Sequence, residues 1–387
     1  MTPPIVRGHA TGPAGRAVPD LVARLRSELG PQPPVALLYF ASAGYDPDDL
    51  AGPLTRAFPT SAVIGCSTAG EFTDEVNGTG GISAIAFPEG VLRTAVAELG
   101  DLTTDPTAGT QNAVDRIERR IGTQLRHLDP DRYVGLLLVD GLHGSEEVVN
   151  DTLGNAAPLL DFVGGSAGDD LAFARTWVAV GETVSDHGVA LLLLQPAVPH
   201  RVMKTCSLRP SGRTLRITAA DIEGRLVTSI DGRPATEAYA EAAGVPVADL
   251  DTSVWMRNPL GLMIDGQPWV RSPQTRVGNG IRFYAQLRPG MQVEMMCPGD
   301  VVADTREAVA RVRTTREAVA RVRTELGGTV RGAVLFNCIL RRLEMDEERT
   351  GDAFVGALRG IPTAGFHTYG ESWLGHVNQT LTGVAFG

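Results

Sequence analysis

The chain has 387 residues, 43% hydrophobic and 21% charged, a globular composition with length enough for two or three cores. Its formal net charge of −10 argues against nucleic acid or an anionic membrane held through bulk charge. Four widely spaced cysteines without a CxxC pair, no apolar run near the roughly 18 residues of a membrane span, and no signal-peptide pattern point to a reduced, cytoplasmic protein.

Residues 1 to about 17, rich in Gly, Pro and Ala, read as a weakly ordered lead-in, followed by a helix at 19–29. A continuous apolar run at 35–42 predicts a buried strand, and Asp46-Pro47-Asp48-Asp49 opens a helix to 57. A short strand at 61–65 enters Gly-Cys-Ser-Thr-Ala-Gly-Glu (65–71), and 80–87 with 91–99 read as a hairpin. The plan returns with a strand at 133–140, a helix opened by Ser145-Glu146-Glu147, and a strand at 161–164 before Gly-Gly-Ser-Ala-Gly-Asp-Asp (164–170). Strands at 188–194 and 200–208 follow. It returns again with a strand at 332–338, a helical stretch to about 358, a strand at 361–365 before Gly-Phe-His-Thr-Tyr-Gly-Glu (365–371), and a last strand at 380–386. Three occurrences of strand, helix, short strand, Gly turn and acid predict a duplicated α/β unit in mixed sheets, with turns at Gly65, Gly164 and Gly365.

Residues 213–299 differ, with short alternating strands (214–218, 224–230, 281–287, 291–296) and a helix at 235–243, so an inserted α+β subdomain is expected there. Residues 305–314 recur unchanged at 315–324. Ten residues rotate a helix face by about 80°, so the apolar stripe drifts, and the repeat reads as a recent duplication and not as a functional coil.

A Gly turn after a strand presents backbone N–H groups, and an acid beside them suits a zwitterion, its carboxylate on the amides and its ammonium on Glu71, Asp169, Asp170 or Glu371. The same residues also suit a purely architectural role, as a tight strand exit and a cap. The third copy gathers the most polar groups. His367, Tyr369, Glu371, His376 and Asn378 adjoin it, and Asn337, Cys338 and Arg341 follow the parallel strand, where ligands sit in open α/β sheets. Arg341 is the expected carboxylate clamp. Cys66 or Cys338, each just after a strand, would be the nucleophile of a Cys-dependent enzyme, although no His or Asp stands at a supporting interval. The seven histidines are scattered without metal-ligand spacing.

Val63-Ile64-Gly65-Cys66-Ser67-Thr68-Ala69-Gly70-Glu71 and Val163-Gly164-Gly165-Ser166-Ala167-Gly168-Asp169-Asp170 resemble the N-terminal FIST domain. Arg257-Asn258-Pro259-Leu260-Gly261, Val270-Arg271-Ser272, Leu335-Phe336-Asn337-Cys338 and the segment 365–371 with Asn378-Gln379-Thr380 resemble its C-terminal partner. The resemblance covers about 35–385 and implies a lead-in and helix at 1–34, an N-terminal domain at 35–210 and a C-terminal domain at 211–387. It implies a bacterial sensory module in signal transduction that binds a small ligand such as an amino acid, without catalysis and without a cofactor. The expected site is a cleft between the third unit and the middle subdomain, built from Asn258, Arg271, Asn337, Cys338, Arg341, His367, Tyr369, Glu371 and Asn378. Some members of the family resemble haem-dependent nitric oxide sensors that regulate histidine kinases, and that alternative makes His367 the axial ligand, with His376 behind it. No output segment is recognised, so the signal is expected to reach a separate partner.

Overall fold

The computed structural model describes residues 4–264, 266–314 and 330–387. The first unit runs β1 (Val6–Thr11), α1 (Ala14–Leu29), β2 (Ala36–Ser42), α2 (Asp48–Ala57), β3 (Ala62–Thr68), β4 (Glu71–Thr73), β5 (Asn77–Gly78) and β6 (Gly81–Phe87). The second has the same order: β7 (Leu92–Asp101), α3 (Pro106–Ile121), β8 (Val134–Val139), α4 (Glu146–Ala156), β9 (Phe162–Ser166), β10 (Val178–Val180), β11 (Thr183–Ser185) and β12 (Gly188–Pro196). The third begins with β13 (His200–Cys206) and is interrupted.

The interruption holds β14 (Leu208–Asp221), β15 (Leu226–Ile230), β16 (Arg233–Pro234), α5 (Ala235–Ala243), α6 (Thr252–Arg257), β17 (Leu260–Ile264), β18 (Gln267–Arg271), β19 (Pro273–Val277), β20 (Gly280–Phe283) and β21 (Gln292–Pro298). The third unit then resumes with α7 (Val301–Thr314), β22 (Gly332–Cys338), α8 (Ile339–Glu348), α9 (Gly351–Leu358), β23 (Thr363–Thr368), β24 (Glu371–Trp373), β25 (His376–Val377) and β26 (Thr380–Phe386). The α+β subdomain is thus an insertion between the first strand and first helix of the third unit. It carries its own core, in which Tyr239 meets Trp255 at a tilt (5.0 Å between ring centres) together with Ile217, Phe283 and Met295.

Each unit builds one sheet by the same pairing. β2 with β3, β8 with β9 and β22 with β23 are parallel, whereas β6, β12 and β26 return antiparallel to the first strand of each pair. The sheet orders are β1-β6-β2-β3-β10-β11, β7-β12-β8-β9-β24-β25 and β13-β26-β22-β23-β4-β5. In every sheet the last two strands come from another unit. The second unit lends its hairpin to the first, the third to the second, and the first to the third, so the three are bound in a ring.

The central strands are apolar on both faces because each sheet is covered twice. Inner faces meet in a shared core that includes Phe40, Leu138 and Phe336 at equivalent places, with Phe366 4.9 Å from Phe40 between ring centres. Outer faces are covered by helices: Leu21, Leu25, Leu50 and Leu54 over Leu37 and Tyr39, Val114, Ile117, Val149 and Leu153 over Leu137, and Val309, Phe354 and Leu358 over Leu335. Local signals agree with these helices. Asp105 caps α3 through Ala108 N–H, Pro106 stands first in the helix, and Gly122 ends it in the left-handed conformation.

Several expectations are corrected here. The lead-in contains a strand: β1 pairs antiparallel with β6, and α1 starts at Ala14. Segments 80–87 and 91–99 are not a hairpin, since β6 and β7 belong to different sheets. The helix after β22 is two, divided where Arg349 takes φ 56°. Gly65, Gly164 and Gly365 lie within strands and not in turns, opposite Tyr39, Leu137 and Leu335. A Cβ there would strike the Tyr39 ring, the Leu137 carbonyl oxygen and the Leu335 carbonyl oxygen, so these glycines mark close approach between neighbours. The first copy of the ten-residue repeat lies in α7, and the second, 315–324, falls outside the described residues.

Candidate functional site

The ends of β3, β9 and β23 converge, and their backbone groups bond one another. Ala69 N–H donates to His367 O (3.1 Å), His367 N–H to Gly70 O (2.7 Å), Gly168 N–H to Ser67 O (3.2 Å) and Ser166 N–H to Gly370 O (2.8 Å). The amides expected to cradle an anion are therefore committed to neighbouring carbonyls. Sequence spacing placed the motifs two to three residues before the actual strand ends and could not show that the three ends face each other.

Glu71 and Glu371 are both buried at equivalent positions, each at the start of an exchanged hairpin. Glu371 accepts from the Thr368 hydroxyl, from Thr380 N–H (3.0 Å) and from the Thr380 hydroxyl (2.8 Å). Glu71 accepts from Gly81 N–H and the Thr68 hydroxyl. Burial pushes each carboxyl up to about 7, against the pull of these donors. Both acids pin the hairpin to the strand that follows it, and the oxygens expected to meet a ligand ammonium are occupied by the chain.

Asn337, Arg341 and His367 do come together, as a buried chain of hydrogen bonds. Arg341 Nε donates to Asn337 Oδ1 (2.9 Å), its Nη1 to Ser207 Oγ (2.7 Å) and its Nη2 to Thr305 Oγ1 (2.9 Å). Asn337 Nδ2 bonds His367 Nδ1 (2.9 Å), and His367 Nε2 bonds Asn77 Oδ1 (2.8 Å). This pairing assigns the ring proton to Nε2. Arg341, expected as a carboxylate clamp, is fully enclosed. His367, with Phe72 5.2 Å away on one side, is neutral, because burial and the two arginines hold its pKa well below the ordinary value. Both its ring nitrogens are engaged, so the residues present do not fit haem ligation through His367. His376 is likewise buried, with Nε2 3.2 Å from the Tyr284 carbonyl.

The remaining candidates disperse. Cys338 and Cys66 are buried, and burial raises both thiols well above their ordinary pKa, which disfavours the thiolate. Asn258 bonds within the inserted subdomain, to Val254 O (3.1 Å) and from the Tyr239 hydroxyl. Asn378 Oδ1 accepts from Ser272 N–H (3.4 Å). Arg271 donates to Gln286 O (3.3 Å) and is drawn down to about 10 by burial.

An open cleft of about 370 Å³ lies beside the second unit. Its floor is Gly141, Leu142, His143, Gly144 and Glu146, where β8 gives way to α4. One wall is Glu223, Gly224, Arg225, Gln274, Arg282, Phe283 and Tyr284 of the insertion, and the other is Phe173 with Tyr369. It stands beyond the carboxyl end of a parallel strand, where open α/β sheets bind ligands. Arg225 bridges the parts: its Nη2 meets Glu146 Oε2 (2.6 Å) and Glu147 Oε2 (2.5 Å), and its Nη1 donates to Tyr284 O (2.7 Å). Burial alone would raise the Glu146 pKa, but Arg225, with His376, outweighs it and keeps the carboxyl low and charged. Arg282 and Glu223 have no hydrogen-bond or ion-pair partner through their side chains among the described residues. Of the predicted site residues Tyr369 lines this cleft, and Arg271 stands behind it, where Gln286 N–H donates to Glu147 (2.7 Å). Sequence reasoning missed Arg225, Arg282 and Phe173. The available signal was the Asp-Gly-Leu-His-Gly-Ser-Glu-Glu run at 140–147, a strand end opening a helix, to which the strand-end rule applies as well as to the third unit.

A protein of Methanocaldococcus jannaschii described as uncharacterized is 27% identical over 192 residues, 49% of this chain and 36% of the relative, so the chain spans about a third of that relative's length. A solved chorismatase structure aligns over 99% of this chain and 97% of its own at 12% identity with a TM-score of 0.39. The FIST N domain matches residues 35–233 and the FIST C domain residues 235–373, their junction falling inside the insertion between β16 and α5. FIST domains are associated with sensory signal transduction, and the chain belongs to the FIST family.

Proposed function

We propose that the protein is a non-catalytic, cytoplasmic sensory module that binds a small mixed-charge metabolite of the amino-acid class in the cleft between the second unit and the insertion. The observation that carries this reading is the cleft itself. It joins a charge-paired floor, Glu146 with Arg225, to one unpaired cation, Arg282, and one unpaired anion, Glu223. A zwitterion carries a carboxylate and an ammonium, and a cleft lined by both an unpaired cation and an unpaired anion offers each an opposite partner. A volume of about 370 Å³ suits one small ligand. The floor and the two walls draw on the second unit, the insertion and Tyr369 of the third unit, so binding draws the insertion toward the ring of units. The signal passes to a separate signalling protein such as a histidine kinase. All four cysteines are free, in keeping with a reducing compartment, and among the described residues no helix is long and apolar enough to cross a membrane.

A thermal-shift screen of the full chain against the standard amino acids and their oxo acids tests the reading. A binder must raise the midpoint with its concentration, and Arg282→Ala must abolish the rise. No stabilisation by any member of that set contradicts it.

A further inference from the structure

The second unit departs from the other two at one place. In the first and third units the strand end reaches the exchanged hairpin through Ala69-Gly70 and Tyr369-Gly370, whereas the second unit inserts residues 168–177 between β9 and β10. Within that loop Asp170, Leu171 and Phe173 take φ 54°, 67° and 49°, left-handed conformations that strain a non-glycine residue. The loop is held in this shape from both ends. Asp169 accepts Phe173 N–H (3.0 Å), Ala174 N–H (2.7 Å) and Arg175 N–H (3.0 Å) as well as the Tyr369 hydroxyl, while Leu171 N–H donates to Tyr369 Oη (2.7 Å). The product is an exposed aromatic ring. Phe173 is 45% exposed and stacks on Tyr369 with centroids 5.2 Å apart and planes 25° apart, and both residues line the cleft.

A large apolar ring held open by strained backbone has no packing purpose on its own face. Its free side offers a flat, weakly hydrated surface of a kind that stacks on planar groups. The same cleft is lined by Arg282, whose guanidinium is unpaired among the described residues, whereas Arg225 is already matched by two carboxylates. We propose that the ligand of this cleft carries a planar aromatic ring and a carboxylate, the ring forming a third layer on the Phe173–Tyr369 stack and the carboxylate meeting Arg282. This specificity rests on the reading that the cleft binds a small ligand.

The test uses isothermal titration and thermal shift on the full chain with 3-phenylpropionate, phenylalanine, 3-cyclohexylpropionate, 3-phenylpropionamide and alanine. Both aromatic carboxylates are expected to bind about fivefold or more tightly than the saturated-ring acid and the amide. Phe173→Ala should remove the preference for the aromatic ring, Phe173→Trp should retain it, and Arg282→Ala should remove the preference for the acid over the amide. Binding of alanine or the saturated-ring acid as tightly as the aromatic acids, unaffected by Phe173→Ala, overturns the ring specificity and leaves the amino-acid reading standing. Absence of binding by every compound, with none from the wider amino-acid set, overturns both.

Discussion

The first and third units begin their exchanged hairpins with a buried acid, Glu71 and Glu371, whereas the second has Val178 at that place, preceded by the 168–177 loop. Where the acid is kept, the strand ends close on one another through backbone hydrogen bonds, and the acid is held by donors of its own unit. Where it is replaced, the loop swings out, and an aromatic ring and an open cleft appear beside it. The repeated motif thus marks architecture, and its exception marks the candidate site. Polar density, which drew attention to the third unit, proved to be a sign of buried hydrogen bonding.

Substitutions separate the two roles. The largest effect is expected for Gly164→Ala, because the new Cβ would overlap the Leu137 carbonyl oxygen, a backbone atom that cannot step aside. A loss of about 3 kcal/mol or more is expected by denaturant unfolding. Gly154→Ala, on an exposed stretch of α4 with nothing near, should instead be neutral or stabilise by up to about 1 kcal/mol. Arg225→Ala leaves Glu146 buried without its partner and should cost about 3 kcal/mol, with faster hydrogen exchange in the insertion. An equal loss in an Arg225→Ala/Glu146→Gln double variant would show that the ion pair is not the cause.

The two acids predict a pH response of definite sign. Burial raises Glu71 and Glu371 from 4.5 to about 7, so between those values the folded state binds more protons than the unfolded state. Their contribution is fully present below about 4.5 and is lost as pH rises through about 7, on the order of 1–3 kcal/mol per site. The Glu71→Gln/Glu371→Gln variant should therefore lose less stability than the parent between pH 5 and 8, and parallel curves would contradict the buried-acid account. The smallest effect on stability belongs to Phe173→Ala, within about 0.5 kcal/mol, since the ring is exposed. Its consequence should lie in binding alone.

Much of the fold was legible because the central strands are buried on both faces and read as unbroken apolar runs, such as Ala36–Ser42 and Gly332–Cys338. The helix expected at 235–243 is found with the same bounds, Ala235–Ala243. β1 was not, because Val6–Thr11 alternates apolar and small or polar residues behind a proline pair and owes its pairing to β6, some 75 residues on. The separation of β6 from β7 was hidden because Pro88-Glu89-Gly90 also suits a hairpin turn, and only tertiary exchange decides. Arg341 read as a carboxylate clamp because its actual partners, Ser207 and Thr305, are remote in sequence. The cleft was hidden for the same reason, being assembled from the second unit, the insertion and a single tyrosine of the third.

The most direct measurement of the central claim is ligand-induced stabilisation by amino acids and aromatic carboxylates, compared in the parent chain, Arg282→Ala and Glu371→Gln. The account predicts that the thermal shift disappears in Arg282→Ala and persists in Glu371→Gln. Loss of the shift in Glu371→Gln with retention in Arg282→Ala would return the site to the third unit and contradict the account.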